Sequence, residues 1–269
     1  WNVFFGTGGP GAKGIYRASF NTATGKLSAA ELAAEAGSPG FLALHPEGGR
    51  LYAAANVGGV QGAAAYRIGP GGALTLINAS PTGDGGAAHI AVHPSGKFAA
   101  TAQYGGGSVA VFPLAADGSL GAAKLLRHQG GSKVVDKRQD TPHPHYIGWS
   151  PDGRFVVCAQ ETIEQPSTRF SNYSALWVID VSSGERRQIT AGDAVQPSWS
   201  PHGQRIAYWA ADAAGQREPQ ARSGCSHVPS SIDTSPVIDD NRFLEKFSIK
   251  AKFAYSVDSK GGSGRLIWR

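Results

Sequence analysis

The sequence predicts an all-β protein, a β-propeller of four-stranded antiparallel blades, and three observations carry that prediction. One turn phrase, His-Pro-x-Gly or Ser-Pro-x-Gly, returns at Pro46, Pro94, Pro151 and Pro201, which stand 48, 57 and 50 residues apart. A self-similar period in the forties to fifties is that of propeller blades. Between the turns lie short alternating segments closed by Gly-containing reversals, the pattern of β-hairpins. The composition agrees: 37 Gly, 16 Pro, 41% hydrophobic and 17% charged residues describe a turn-rich, well-packed chain.

Taken in order, Asn2-Val-Phe-Phe opens a first strand, and Gly14-Ile-Tyr-Arg-Ala-Ser-Phe20 alternates before the turn Asn21-Thr-Ala-Thr-Gly25. Ala29–Ala36 has a helical composition, and in this setting also reads as an extended strand end. Leu44-His-Pro46-Glu-Gly-Gly-Arg-Leu-Tyr52 and Val92-His-Pro94-Ser-Gly-Lys-Phe98 each end one strand, reverse at Pro-x-Gly and begin the next. Ser108-Val-Ala-Val-Phe112 leads into the strong hairpin turn Asp117-Gly118. Trp149-Ser-Pro151-Asp-Gly-Arg-Phe155 and Trp199-Ser-Pro201-His-Gly-Gln-Arg-Ile206 repeat the reversal, with Ala175–Asp180 alternating between them. At about 45–50 residues per blade the chain holds about five to six blades, within an expected range of five to seven. Propellers often close by pairing N- and C-terminal strands, which here assigns Asn2–Phe5 a C-terminal partner.

The formal charge of +5 suits an anionic small molecule, but the basic residues are scattered and interleave with no aromatic stripe, so nucleic-acid binding is not expected. No apolar run reaches the roughly 18–20 residues of a membrane span. Cys158 sits in an apolar run and reads as a buried small hydrophobe, and its pairing with Cys225 is left open. A start at Trp1 with no methionine anywhere leads us to expect a removed leader or a trimmed sequence, and so a periplasmic or secreted protein, or a cytoplasmic one.

Specific phrases carry a family resemblance over Trp1–Val157. They are Phe4-Phe-Gly-Thr7 with Gly14-Ile-Tyr16, Ser38-Pro-Gly-Phe-Leu-Ala-Leu-His-Pro46, His89-Ile-Ala-Val-His-Pro-Ser-Gly96, Tyr104-Gly-Gly-Gly-Ser-Val-Ala-Val-Phe112 and Arg138-Gln…Pro142-His-Pro-His145. The sequence resembles the lactonase-type seven-bladed propellers, the group that contains the propeller 6-phosphogluconolactonases. From 158 to 215 the phrases Leu176–Thr190 and Gln196-Pro-Ser-Trp-Ser-Pro-His resemble TolB-type propeller repeats, with His202 in place of the usual acid. Residues 216–269 carry no repeat phrase and are expected to supply closing strands of the same single domain, 1–269.

The resemblance implies hydrolysis of a sugar lactone at the channel mouth, with neither metal nor other cofactor. Such chemistry needs a base for water, a donor for the oxyanion and a cation for a phosphorylated sugar. His143 and His145, two apart in a Pro-stiffened extended segment, are expected on one side, either as general base or as orienting group. Arg138 is the expected anion clamp. His89, Asn56, Gln139 and Tyr104 are the expected substrate contacts. Lys133 and Lys137 read as solvated, and His45 and His93 as parts of the turn phrase. The family phrase usually continues after Asn56 with an acid, absent here, and Glu161 or Asp84 are the carboxylates that can replace it in space. Two other functions fit the same architecture: lactone formation by a cycloisomerase, and a non-catalytic scaffold binding a protein partner through Trp177, Trp199 and Trp209.

Overall fold

The computed structural model describes residues 1–131, 133, 140–163, 172–190, 193–200, 202–203, 205–211 and 217–223. They form two compact units, Trp1–His128 and a second that begins at Gln129. All their sheets are antiparallel, and the only helix is a single 3-10 turn at Pro70–Gly72. None of the described helices is long and apolar enough to cross a membrane.

The first unit holds three blades. Blade one contains β1 (Asn2–Gly6), β2 (Gly14–Asn21), β3 (Lys26–Leu27) and β4 (Glu31–Glu35). Ala29–Ala36 is therefore strand rather than helix, because β4 finds a ready partner in the edge of β2. Backbone pairing outweighs the modest helix preference of Ala and Glu. The described partner of β1 is β2, with Asn2 opposite Ser19 and Gly6 opposite Ile15; the C-terminal strands expected to pair with it lie outside the described residues. Blade two is β5 (Gly37–Leu44), β6 (Arg50–Val57), β7 (Val60–Ile68) and β8 (Leu74–Pro81), and blade three is β9 (His89–Val92), β10 (Phe98–Gln103), β11 (Ser108–Pro113) and β12 (Lys124–Arg127). The first strands of successive blades, β1, β5 and β9, are neighbours. The second unit holds blade four, β13 (His143–Trp149), β14 (Phe155–Ile163), β15 (Asn172–Asp180) and β16 (Arg186–Gln188), and three strands of blade five, β17 (Ala194–Trp199), β18 (Arg205–Ala211) and β19 (Arg217–Ser223).

The repeated phrase makes the same turn four times. The carbonyls of His45, His93, Ser150 and Ser200 accept from the N–H of the glycine three residues on, at 2.8–2.9 Å. Each of those four residues also donates its own N–H to the carbonyl five residues on, at 2.8–3.0 Å. Proline presets the first central position, and the glycine takes φ of 69–78°, which a side chain disfavours. The leading side chain caps the turn. His45 Nδ1 accepts from Glu47 N–H (3.3 Å), His93 Nδ1 from Ser95 N–H (2.9 Å), Ser150 Oγ from Phe155 N–H (2.9 Å) and Ser200 Oγ from Arg205 N–H (3.0 Å). His45 and His93 are thus structural; the histidines accept from the N–H two residues on, and the serines from the N–H five residues on.

Packing follows strand alternation. On β6, Leu51, Ala53 and Ala55 join Phe4, Ile15, Leu42 and Tyr66 in one cluster, while Tyr52 and Ala54 join Ile90, Ala99, Ala110 and Phe112 in the next. A strand buried on both faces needs small residues to let the sheets approach, which is why β6 and β7 are rich in alanine. Polar side chains of blade two also hold blade three: Arg50 donates to Ala116 O, Tyr52 to Gly118 O, Asn78 to Leu120 O and Ser80 to Gly121 O, at 2.8–3.0 Å. In the second unit, Val157, Leu176, Val178, Ile206 and Tyr208 form the core. Cys158 is buried there as a free thiol, pushed up to about 12 by burial; Cys225 lies outside the described residues.

Candidate functional site

In blades two to five the turn phrase joins the first and second strands, so the opposite end of each carries the start of its first strand and the turn between its second and third strands. The expected site residues that are described, His89, Asn56, Tyr104, His143 and His145, fall at that end of their own blades. In the first unit, His89 begins β9, is 3% exposed, and lays its ring against Phe41 with centroids 3.7 Å apart. Tyr104 opens the turn between β10 and β11, half-buried, just after Gln103, which is fully buried and accepts from Ser108 Oγ at 3.1 Å. Asn56 ends β6 and stands opposite Gly37 on one side and Gln61 on the other.

Asn56 lines an open cleft of about 460 Å³ with Val60, Gln61, Pro81, Thr82 and Asp84. This brings together Asn56 and Asp84, one of the two carboxylates named as a replacement for the missing acid. His89 and Tyr104 are not among its lining residues. The Asp84 carboxylate is committed elsewhere: Oδ1 pairs with Arg127 Nη1 at 2.9 Å, and Oδ2 is buried without a hydrogen-bond partner. It lies against Gly106, where any Cβ would overlap it. Asp84 is therefore a strut beneath the Tyr104–Gly107 turn rather than an open acceptor.

In the second unit, β13 begins with His143 opposite Glu161 of β14. The expected His143–His145 pair lies on an irregular stretch of the strand. The register shifts between Pro144 and Tyr146, a β-bulge that makes His145 the extra residue. His143 is 4% exposed, whereas the His145 side chain is 49% exposed. His145 Nε2 lies 3.8 Å from Glu161 Oε2, and the Glu161 side chain is only 18% exposed. Both histidines and the second replacement carboxylate thus gather at one end of blade four.

Arg138, Gln139 and Lys137 lie outside the described residues; Lys133 is exposed. No group of three or more His, Cys, Asp or Glu set to hold a metal occurs among the described residues. Trp177 stacks beneath Arg186, with the guanidinium 4.8 Å from the ring centroid, and Trp199 Nε1 donates to Gly148 O at 3.3 Å. Trp177, Trp199 and Trp209 are half-buried, and the large exposed apolar side chains among the described residues are Trp1, Leu27, Leu32, Leu76 and Phe98. The sequence reading missed Gln61 and Thr82. For Gln61 the signal was present, since a two-residue Gly58-Gly59 turn sets Asn56 opposite Gln61.

Antiparallel blades, four of which turn from first to second strand through the same phrase, define the chain as a β-propeller protein. The family model described as Lactonase, 7-bladed beta-propeller matches residues 2–160, and the chain belongs to that family. It is 34% identical over 157 residues to the 6-phosphogluconolactonase of Bacillus subtilis, a match covering 58% of this chain and 44% of the relative. The chain thus spans about half the length of the curated relatives it matches. Among solved structures, the periplasmic gluconolactonase PpgL of Pseudomonas aeruginosa shares the fold, with a TM-score of 0.56 and 22% identity over 87% of this chain and 86% of that one.

Proposed function

We propose that this protein hydrolyses a sugar lactone, an anionic one of the 6-phosphogluconolactone type, and that His145 is the general base. The observation that carries the assignment of the base is the His145–Glu161 pair at the head of blade four, in a chain of the lactonase family. Half-exposed, His145 has access to water. With Nε2–H turned toward Glu161, Nδ1 is left as the acceptor, and the carboxylate stabilises the imidazolium that forms.

Water attacks the lactone carbonyl as His145 takes one of its protons. The tetrahedral intermediate collapses with cleavage of the ring C–O bond, and the imidazolium returns the proton to the departing alkoxide. The product is the open-chain hydroxy acid, which ionises at neutral pH. His143, buried beside the pair, orients the substrate. Arg138 holds the anionic group, bidentate if it is a phosphate, and Gln139 contacts the ring hydroxyls.

The test is turnover by the His145→Ala and Glu161→Gln variants. Loss of the base lowers kcat by about 10²–10⁴. Loss of the carboxylate alone lowers kcat by less, with KM little changed. A His145→Ala variant as active as the parent would overturn the assignment.

A further inference from the structure

The first strands of blades four and five share an irregularity at their heads. In β13 the extra residue is His145, beside Pro144. In β17 the register with β18 shifts between Val195 and Ser198, so that Gln196 and Pro197 span a stretch for which β18 supplies only Tyr208. Blade two repeats the device at Ser38-Pro39, within the shift between Gly37 and Phe41. Proline has no N–H to give a ladder, and a bulge is where a strand can hold one. Each time the irregular step carries a polar residue: Ser38, His145 and Gln196.

Gln196 is strained there. Its φ is 53°, a conformation that a side chain disfavours, and the proline that follows favours extended backbone instead. Glycine would take the same conformation without that cost. Strain of this kind collects at functional sites. The placement of Gln196 is also specific. β13 and β17 are neighbours within the second unit and run the same way, from head to turn phrase. Trp199 Nε1 of β17 donates to Gly148 O of β13 at 3.3 Å and ties the two strands together. Three residues back from the two ends of that bond stand Gln196 and His145. Gln196 is half-buried, and it lies beyond residue 160, where the family match ends.

Lactone hydrolysis needs a donor for the carbonyl oxygen, which becomes negative as water adds; His145 and Glu161 supply a base and its partner but no such donor. We propose that Gln196 is that donor, its side-chain amide holding the oxyanion beside His145, a role that rests on the lactonase reading. An amide suits it, because it donates without carrying charge or titrating near neutral pH. No proton is transferred to or from it. Its hydrogen bond strengthens as the water oxygen adds to the carbonyl carbon, and relaxes when the ring C–O bond breaks and the C=O bond re-forms.

The test compares the full chain with its Gln196→Gly and Gln196→Glu variants on freshly prepared 6-phosphogluconolactone. Gln196→Gly relieves the backbone strain, so its thermal midpoint should rise by about 2–4 °C. Its kcat should nevertheless fall about 10²–10³-fold, with KM within about twofold of the parent. Gln196→Glu keeps the size but, ionised, offers no donor, and should lose as much. The pH profile of the residual Gln196→Gly activity should keep the parent's shape, whereas a residue acting through the His145–Glu161 pair would displace it. Parent-like activity in either variant, a loss confined to KM, a displaced profile or a lowered midpoint in Gln196→Gly would each overturn the role. A parent that leaves the lactone to its spontaneous decay sinks the lactonase reading and this role with it; a parent that turns over beside an equally active Gln196→Gly sinks this role alone.

Discussion

Two buried tyrosines on neighbouring strands should respond oppositely to loss of the same atom. Tyr52 and Tyr66 are 0% and 1% exposed, and burial raises both phenols, that of Tyr66 to about 12. Their surroundings differ. Tyr52 Oη donates to Gly118 O at 3.0 Å, one of four side-chain bonds from blade two to the 116–121 segment of blade three. Tyr66 Oη is buried with no hydrogen-bond partner. Removing the Tyr52 hydroxyl forfeits a made bond worth about 1 kcal/mol and strands a carbonyl, for a cost of about 1–2 kcal/mol. Removing the Tyr66 hydroxyl relieves a desolvated, unpaired donor, so Tyr66→Phe should be neutral or stabilise by about 1 kcal/mol. The two single-atom deletions should therefore differ by about 2 kcal/mol. Urea unfolding of the parent, Tyr52→Phe and Tyr66→Phe reads this directly, with equal m-values as the check that only stability has changed. Equal destabilisation by both substitutions would refute the reasoning, because burial alone, and not pairing, would then set the cost.

Two further predictions follow from single residues. The Asp180 carboxyl accepts from the Ser182 hydroxyl at 2.6 Å, the Ser183 N–H at 3.1 Å and Arg154 Nε at 3.2 Å, which together hold it well below the usual carboxylate range. A depressed folded-state value means its contribution is complete above the unfolded carboxylate range, near pH 4, and fades as pH falls toward the folded value, so Asp180→Asn should flatten stability against pH between about 4 and 2. An unchanged acid limb would contradict this. Gly96 has φ of 70°, and a Cβ there would overlap the His45 ring nitrogen that donates to Gly96 O. Gly96→Ala should accordingly cost a few kcal/mol, measured by thermal unfolding, whereas Gly8→Ala, with open space and no positive φ, should cost under about 1 kcal/mol.

The architecture was legible because its determinants are local. Pro-x-Gly, the leading His or Ser, and alternation on either side are all short-range, and each produces the same turn at four places. The residues that misled did so where a long-range partner decides. Ala29–Ala36 has the composition of a helix and the setting of a strand end, and the edge of β2 decides for the strand. His143 and His145 stand two apart in the sequence, and only the pairing of β13 with β14 reveals the bulge between them. Asp84 looks like an available acid beside Asn56, but Arg127, far along the chain, takes one oxygen and Gly106 covers the other. Glu161 is named with Asp84 from the sequence, but its place beside the histidines comes from its register opposite His143, which no spacing in the sequence encodes. Arg138 and Gln139, the anion clamp and its neighbour, rest on the family phrase alone.

The central claim is lactone hydrolysis by this chain, and the most direct measurement is the rate at which freshly prepared 6-phosphogluconolactone opens in its presence. The account predicts opening well above the spontaneous rate, saturating with substrate and reduced by about 10²–10⁴ in kcat in His145→Ala. A folded protein that leaves the lactone to decay at its spontaneous rate would contradict it.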